Sequence, residues 1–374
     1  MLPYGRQSIA EEDIEAVAAV LRSAWLTIGP MVDAFEAALS DLSGGHSVVS
    51  CTSGTAALHI AYAALGINDG DEVVTSPMTF VATASGASIL GGKVLFADVE
   101  EDSALIDPDA VESLVTERTK VIAAVDYAGH PCDYDRLQSI ADRVGARTLA
   151  DAAHSIGGTF RGRPVGDLAD VTTYSFFPTK NLTTAEGGAV VSKDPATGQR
   201  AREFHRVGLV RDADRFEIGS EGAWHQEVHE FGLNYRLTDV GSALGLSQLK
   251  RLARFKQRRS ELTARYNQVL GDVEGLRTPV QRGDVDPAWH LYPVRILDGR
   301  RREVFDKMRA AGIGVQVNYL PVYWHPVYAD LGYRRGLCPN AEAFYAQQLS
   351  LPMFPDLTDN DVDHVTDILL TALK

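Results

Sequence analysis

Seven short apolar runs, rich in β-branched residues, recur between residues 46 and 193. They are HSVVSC (46–51), EVVTS (72–76), KVLFADV (93–99), KVIAAVDY (120–127), ARTLAD (146–151), VTTYSFF (171–177) and GAVVSK (188–193). A strand with one wet face alternates apolar with polar; most of these runs do not, so they read as strands covered on both faces. Helical periodicity lies between several of them. In TAALHIAYAALG, Leu58, Ala61, Tyr62 and Leu65 fall at i, i+3, i+4 and i+7, with Gly66 placed to end the helix. CDYDRLQSIADRVG behaves likewise through Leu137, Ile140 and Val144. This alternation predicts an α/β fold on a mostly parallel sheet, whose ligands gather beyond the carboxyl ends of the strands.

After about residue 245 the texture changes. LSQLKRLARFKQRRSELTARYNQVLGDVEG reads as one long helix with Leu249, Leu252, Phe255, Leu262, Tyr266 and Val269 on one stripe. The strand-like WHLYPVRIL and GIGVQVNYL follow, then a last helix from Asn360. A chain of 374 residues exceeds one ordinary core. The division expected is a large domain over 1–245, with the N-terminal segment, and a smaller C-terminal α/β domain over 246–374.

A net charge of −14 argues against nucleic acid as a partner, because phosphate neutralisation needs a basic surface. It leaves room for a small anion held by helix N-termini and backbone amides. Three scattered cysteines, Cys51, Cys132 and Cys338, form neither a disulfide framework nor a metal-ligand spacing. The opening MLPYGRQSIAEEDIEAV lacks a signal pattern, and no apolar run approaches the ~20 residues of a membrane span. A cytoplasmic protein with no membrane partner is expected.

Candidate chemistry sits at the strand ends. Thr52-Ser53-Gly54-Thr55 follows the first strand and opens a helix, which makes a phosphate cup or, equally, a plain helix cap. The sequence has no Lys-Ser/Thr of a nucleotide P-loop and no G-x-G-x-x-G after a strand. Phe80 follows the second run and taken alone reads as a core aromatic; Asp151 ends the fifth and taken alone reads as a helix cap. Ser175 and Lys180 follow the sixth, in TTYSFFPTKNLTTAEGGAV. Lysines usually snorkel to water, but one held dry between two strands gains a neutral, nucleophilic amine. Together the set asks for one ligand, pyridoxal 5'-phosphate (PLP). That molecule needs a dianion cradle, a stacking ring, a carboxylate for its pyridinium nitrogen and a lysine for its aldehyde.

SGTAALHIA, SPMTFVATA, LADAAHSIGG, TYSFFPTKNLTTAEGGAVVS and FGLNYRLTDVGSALGLSQL resemble the motif series of the DegT/DnrJ/EryC1/StrS sugar aminotransferases. The likeness runs from IAEEDIEAVAAVLRSAWLTIGP to LSLPMFPDLT. It implies the aspartate-aminotransferase-like fold type I, with a mostly parallel seven-stranded sheet in the large domain. It also implies an enzyme whose cofactor alternates between PLP and its aminated form, PMP. By matching motif, Lys180 is the Schiff-base lysine and Asp151 the partner of the pyridine nitrogen. His154 lies near the ring hydroxyl and Phe80 stacks on the ring. Gly54, Thr55 and Ser175 hold the phosphate, with Asn234 reaching it from the other subunit of a homodimer with shared sites. Thr27, Arg236, Asn318 and Tyr319 are the candidates to face the sugar.

The family aminates nucleotide-linked keto sugars, usually with L-glutamate as donor. TTAEGG after the lysine is more similar to members acting at C4 than to those acting at C3, whose glycine-rich stretch more often ends GDGG. The expected substrate is a dTDP- or UDP-linked 4-keto-6-deoxy sugar, with a 3-keto sugar as the alternative. Phe177, Asn318 and Tyr323 stand where many members carry histidine, so the sugar itself stays open. Family dehydratases replace the lysine by His, whereas this chain keeps Lys180. A PLP-binding regulator without amino transfer and an acidic scaffold are the rival classes.

Two further motifs are set aside. HQEVHE (225–230) lacks the Glu directly after the first His that a zinc helix needs, so no metal site is expected. Lys250, Arg251, Arg254, Lys256, Arg258 and Arg259 read as a solvated helix face.

Overall fold

The computed structural model describes residues 1–374. Each of the seven runs supplies one strand of a single sheet: β1 (Ser47–Cys51), β2 (Glu72–Thr75), β3 (Lys93–Phe96), β4 (Thr119–Val125), β5 (Arg147–Asp151), β6 (Val171–Ser175) and β7 (Gly188–Ser192). Their order in space is β1-β7-β6-β5-β4-β2-β3. Neighbours from β6 to β3 pair in parallel, while β7 runs antiparallel to both β6 and β1. Six strands therefore bring their carboxyl ends to one edge. Every residue of β2, β6 and β7 is buried, which is why their sequences do not alternate.

Helix Gly54–Ala64 covers the sheet over β6 and β7 and is buried along most of its length. Phe35, Tyr62 and Phe176 are wholly enclosed. Helix Pro30–Leu42 starts at Gly29, which has no side chain to cap it. Asp239 caps it from a distant part of the chain, accepting the amides of Gly29 at 2.7 Å and Met31 at 2.9 Å.

A second, antiparallel sheet joins β8 (Leu276–Arg277), β9 (Tyr292–Ile296) and β10 (Gln348–Leu351). Its core gathers Leu262, Tyr266, Tyr292, Met308, Leu351 and Leu369, from helices Leu252–Leu270, Arg301–Ala310 and Asp359–Ala372 and from the sheet itself.

Four local expectations change. The long helix is two, Asp239–Leu249 and Leu252–Leu270, with a turn at Lys250–Arg251. The first half packs on helices Glu11–Leu21 and Pro30–Leu42 and the second on the C-terminal core, so one straight rod could not serve both. On the expected stripe Val269 is exposed, and Leu270 takes the inward position. GIGVQVNYL is not a regular strand. It makes isolated bridges at Ile313 and Gln316, and side chains satisfy Asn318: Gln348 Oε1 accepts its amide at 2.9 Å and Tyr127 donates to its carbonyl at 2.6 Å. Finally, Arg259 leaves the solvated face of its helix. It is fully buried and donates to the carbonyls of His290 and Met353.

Candidate active site

Beyond the carboxyl ends of β1, β5 and β6 lies a cavity of about 330 Å³. On one wall Ser53 caps helix Gly54–Ala64, accepting the Ala56 amide on its hydroxyl at 3.0 Å. The first amides of a helix have no partners within it, so they are free for an anion. A Cβ on Gly54 would stand 2.7 Å from Ser175 Cβ, so only glycine lets the helix start this close to the end of β6. Gly54, Thr55 and Ser175 together form a compact cradle at that wall.

Asp151, the last residue of β5, points into the floor. Thr83 donates its hydroxyl to Asp151 Oδ2 at 2.6 Å, and the Ala153 amide donates to Oδ1 at 3.2 Å. Burial pushes this carboxyl above its ordinary range, opposed by Thr83, Ala153 and the Lys180 charge. A dry carboxylate with room before it suits a cationic ring N–H.

Lys180 closes the turn after β6, its amide bonded to the Phe177 carbonyl at 2.9 Å. Half-buried among Asp151, His154 and Tyr319, its amine is brought down to about 8, chiefly by burial and against the pull of Asp151. The neutral base is therefore accessible near neutral pH.

His154 is buried with its ring nearly parallel to Tyr319, Nε2 lying 3.2 Å from the phenol oxygen. Burial, and secondarily Lys180, hold it well below the usual imidazole range. His154 Nδ1 is buried without a protein partner. Phe80 stands 59% exposed at the mouth, edge-on to Tyr319, with a face free for a planar ring. Buried carboxylate, accessible amine, anion cradle and open aromatic face suit PLP in kind and number.

Not every expected residue reaches this cavity. Asn318 and Tyr319 line it, whereas Thr27, Asn234 and Arg236 do not. Thr27 is exposed and bridges to Thr238; Asn234 is exposed and bridges to Arg206; Arg236 bridges to Cys51 at the end of β1. The cavity also takes residues that sequence reasoning missed: Tyr4, Thr79, Thr83, Thr179, Glu186 and His290. Thr79 and Thr83, four apart in SPMTFVATA, carried a faint helical signal. Tyr4 and His290 carried none.

The family model for the DegT/DnrJ/EryC1/StrS aminotransferase family matches residues 7–370. The spore coat polysaccharide biosynthesis protein SpsC of Bacillus subtilis is 37% identical over 380 residues, covering 100% of this chain and 97% of that one. Among solved structures, the putative sugar aminotransferase Spr1654 from Streptococcus pneumoniae in its PMP form superposes with a TM-score of 0.94 at 30% identity. That match covers 100% of this chain and 99% of that one. Spr1654 is also solved in a PLP form. Helicobacter pylori PseC, an aminotransferase involved in the biosynthesis of pseudoaminic acid, matches with a TM-score of 0.93 at 30% identity, over 100% of this chain and 99% of that one.

Proposed function

The chain belongs to the DegT/DnrJ/EryC1/StrS family of PLP-dependent sugar aminotransferases, and from that premise we propose that it moves an amino group from L-glutamate to C4 of a dTDP- or UDP-linked 4-keto-6-deoxy sugar. The observation that carries this function is the pairing of Lys180 and Asp151 in one cavity, an amine brought down to about 8 before a buried carboxylate. Bound PLP supplies an electrophilic aldehyde and a ring that accepts carbanion charge. Lys180 would hold PLP through its aldehyde and would act as the base at the donor's α-carbon. Asp151 would keep the ring nitrogen protonated, with His154 near the ring hydroxyl and Phe80 against one face. Gly54, Thr55 and Ser175 would hold the phosphate, joined by Asn234 of a second subunit.

Thr27, Arg236, Asn318 and Tyr319 are assigned to the sugar substrate. Glu186, from the TTAEGG stretch that favours C4, lines the same cavity and so borders whatever sugar enters. A homodimer with shared sites is supported by the apolar surface around residues 218–233. Trp224 is 78% and Phe231 96% exposed there in the single chain, which a second copy would cover. The absence of any helix long and apolar enough to cross a membrane accords with a cytoplasmic setting.

The decisive experiment is Lys180→Ala with a panel of nucleotide-linked keto sugars, the aminated carbon of each wild-type product being located by NMR. Loss of repeated turnover in the variant and a 4-amino product from wild type are expected. A variant that still turns over repeatedly, or amination at C3, overturns the mechanism or the regiochemistry respectively.

A further inference from the structure

The turn that carries Lys180 is held lightly by its own backbone. The Lys180 amide donates to the Phe177 carbonyl at 2.9 Å, and the Thr184 amide and Thr183 hydroxyl return to the Phe176 carbonyl, each at 3.1 Å. At Asn181, next to the lysine, the tie is a side chain. Asn181 is 4% exposed, and its Nδ2 donates to two carbonyls, that of His154 at 3.1 Å and that of Ala288 at 2.7 Å. Both lie far from it in sequence. One follows Asp151 at the end of β5, and the other leads into β9 of the second sheet.

No other donor reaches either carbonyl. From the far side they are closed off by Gly129, where a Cβ would stand 2.1 Å from the Ala288 oxygen and 3.0 Å from that of His154. The Ala288 amide donates to the Gly129 carbonyl at 3.1 Å and the His290 amide to that of Ala128 at 2.8 Å, which seats the whole 288–290 segment there. His154 and His290 line the cavity with ring centroids 4.4 Å apart, and both respond to the Lys180 charge. One amide thus joins the lysine turn to the two segments that deliver these imidazoles. Packing alone would not favour it, because Asn181 Oδ1 is buried without a partner and an unpaired buried polar atom destabilises a fold. What the amide supplies is a pair of N–H donors that no apolar side chain of that shape offers.

We propose that Asn181 is a positioning residue: by bridging the His154 and Ala288 carbonyls it holds the turn so that the Lys180 amine stays inside the cavity, beside His154. The assignment rests on the role proposed for Lys180 and adds the residue that keeps it in place. The proton affinity of the amine reports on that placement. Burial, against the pull of Asp151, brings it to about 8. His154 and His290 face it uncharged, each held well below the usual imidazole range chiefly by burial. Tyr4 and Tyr319 are neutral phenols pushed above their ordinary range by burial, and Glu186 is exposed. Loosening the turn would wet the amine and return it toward the ordinary lysine range.

The test is competitive acetylation of the full-length apoenzyme from neutral to alkaline pH, with labelling of Lys180 read by mass spectrometry against exposed Lys120. Wild type should show a midpoint near 8. Asn181→Leu keeps the volume and removes both donors, and should raise the midpoint by about one pH unit or more, toward 10.5. Leu369→Ala, in the core of the second sheet, controls for lost stability: its melting temperature should fall while the Lys180 midpoint stays. Asn181→Ser retains one donor, should give an intermediate midpoint, and decides the matter if the leucine variant does not fold. An unmoved midpoint in the Asn181 variants overturns the proposal, as does a wild-type midpoint near 10.5. An equal shift in Leu369→Ala overturns it too, by making the effect one of general loosening. Glutamate-driven change in the cofactor spectrum of the wild-type holoenzyme reports the amination function separately. A holoenzyme that ignores glutamate, with the midpoint shift present, overturns the function and keeps this role for Asn181. One that answers glutamate, with no shift in the variants, overturns the positioning role alone.

Discussion

Thr83 donates its hydroxyl to Asp151 Oδ2 at 2.6 Å and shares a 2.7 Å contact with Thr79, so a two-threonine chain ends on the buried carboxylate. This bond is the largest effect holding Asp151 down against burial. Thr83→Val removes the donor at nearly constant shape, and the carboxyl should rise further. Less of it is then ionised at neutral pH for its proposed role at the ring nitrogen. A hydrogen bond to a charged group contributes about 1.5–3 kcal/mol, so the glutamate half-reaction should slow roughly ten- to a hundredfold. Its acid limb should move to higher pH. Stopped-flow absorbance against pH reads both, and an unmoved limb would reject this role for Thr83.

Lys180 gives a stability prediction of definite sign. Its folded amine titrates near 8, below the ordinary 10.5. Between those values the unfolded chain binds more protons than the native one, so apoenzyme stability contributed by this group rises with pH there. Below pH 8 the full cost of a dry ammonium is present. Lys180→Met should therefore raise the melting temperature of the apoenzyme at pH 7, by an amount on the order of 1–2 kcal/mol in stability, with the gain fading toward pH 10.5. Calorimetry across that range should show the two curves converge.

Gly54→Ala tests the anion cradle without touching a charge. The added methyl would sit 2.7 Å from Ser175 Cβ and 2.9 Å from its hydroxyl, so the helix start or β6 must shift. Overpacking of this kind costs about 1–3 kcal/mol, and the free amides of the helix start move with it. Cofactor affinity should fall at least about tenfold in an absorbance titration. The smaller change Ser175→Ala, which leaves the spacing intact, should cost less.

Asp239→Asn tests the distant cap. Each carboxylate oxygen accepts one amide, from Gly29 and from Met31, and the side chain is fully buried. An amide NH₂ cannot accept, so one backbone N–H of helix Pro30–Leu42 loses its partner. The expected loss is about 1–3 kcal/mol in thermal or denaturant unfolding. Thr27 bridges to Thr238 beside this cap, so the same variant should loosen the segment proposed to face the sugar.

The sequence by itself determined the strand positions of the large sheet, the side on which ligands gather and the motif residues at those strand ends. Such signals are local. Burial on both faces removes alternation within five residues, and a strand end followed by Gly54 or Lys180 is visible wherever the chain later goes. Contacts that join remote segments were invisible. Tyr4 enters the cavity beside Asn318, to which it donates a hydrogen bond at 2.9 Å, from the other end of the chain. His290 and Thr83 arrive from elements whose periodicity says only that they pack. Arg259 belongs to a basic run yet is sealed in, because the two carbonyls that receive it lie on remote loop segments. The helix break at Lys250–Arg251 follows from two cores pulling the chain different ways. Tertiary structure decided these points because backbone periodicity encodes which side is dry, whereas hydrogen-bond partners and charge neighbours depend on how distant pieces meet.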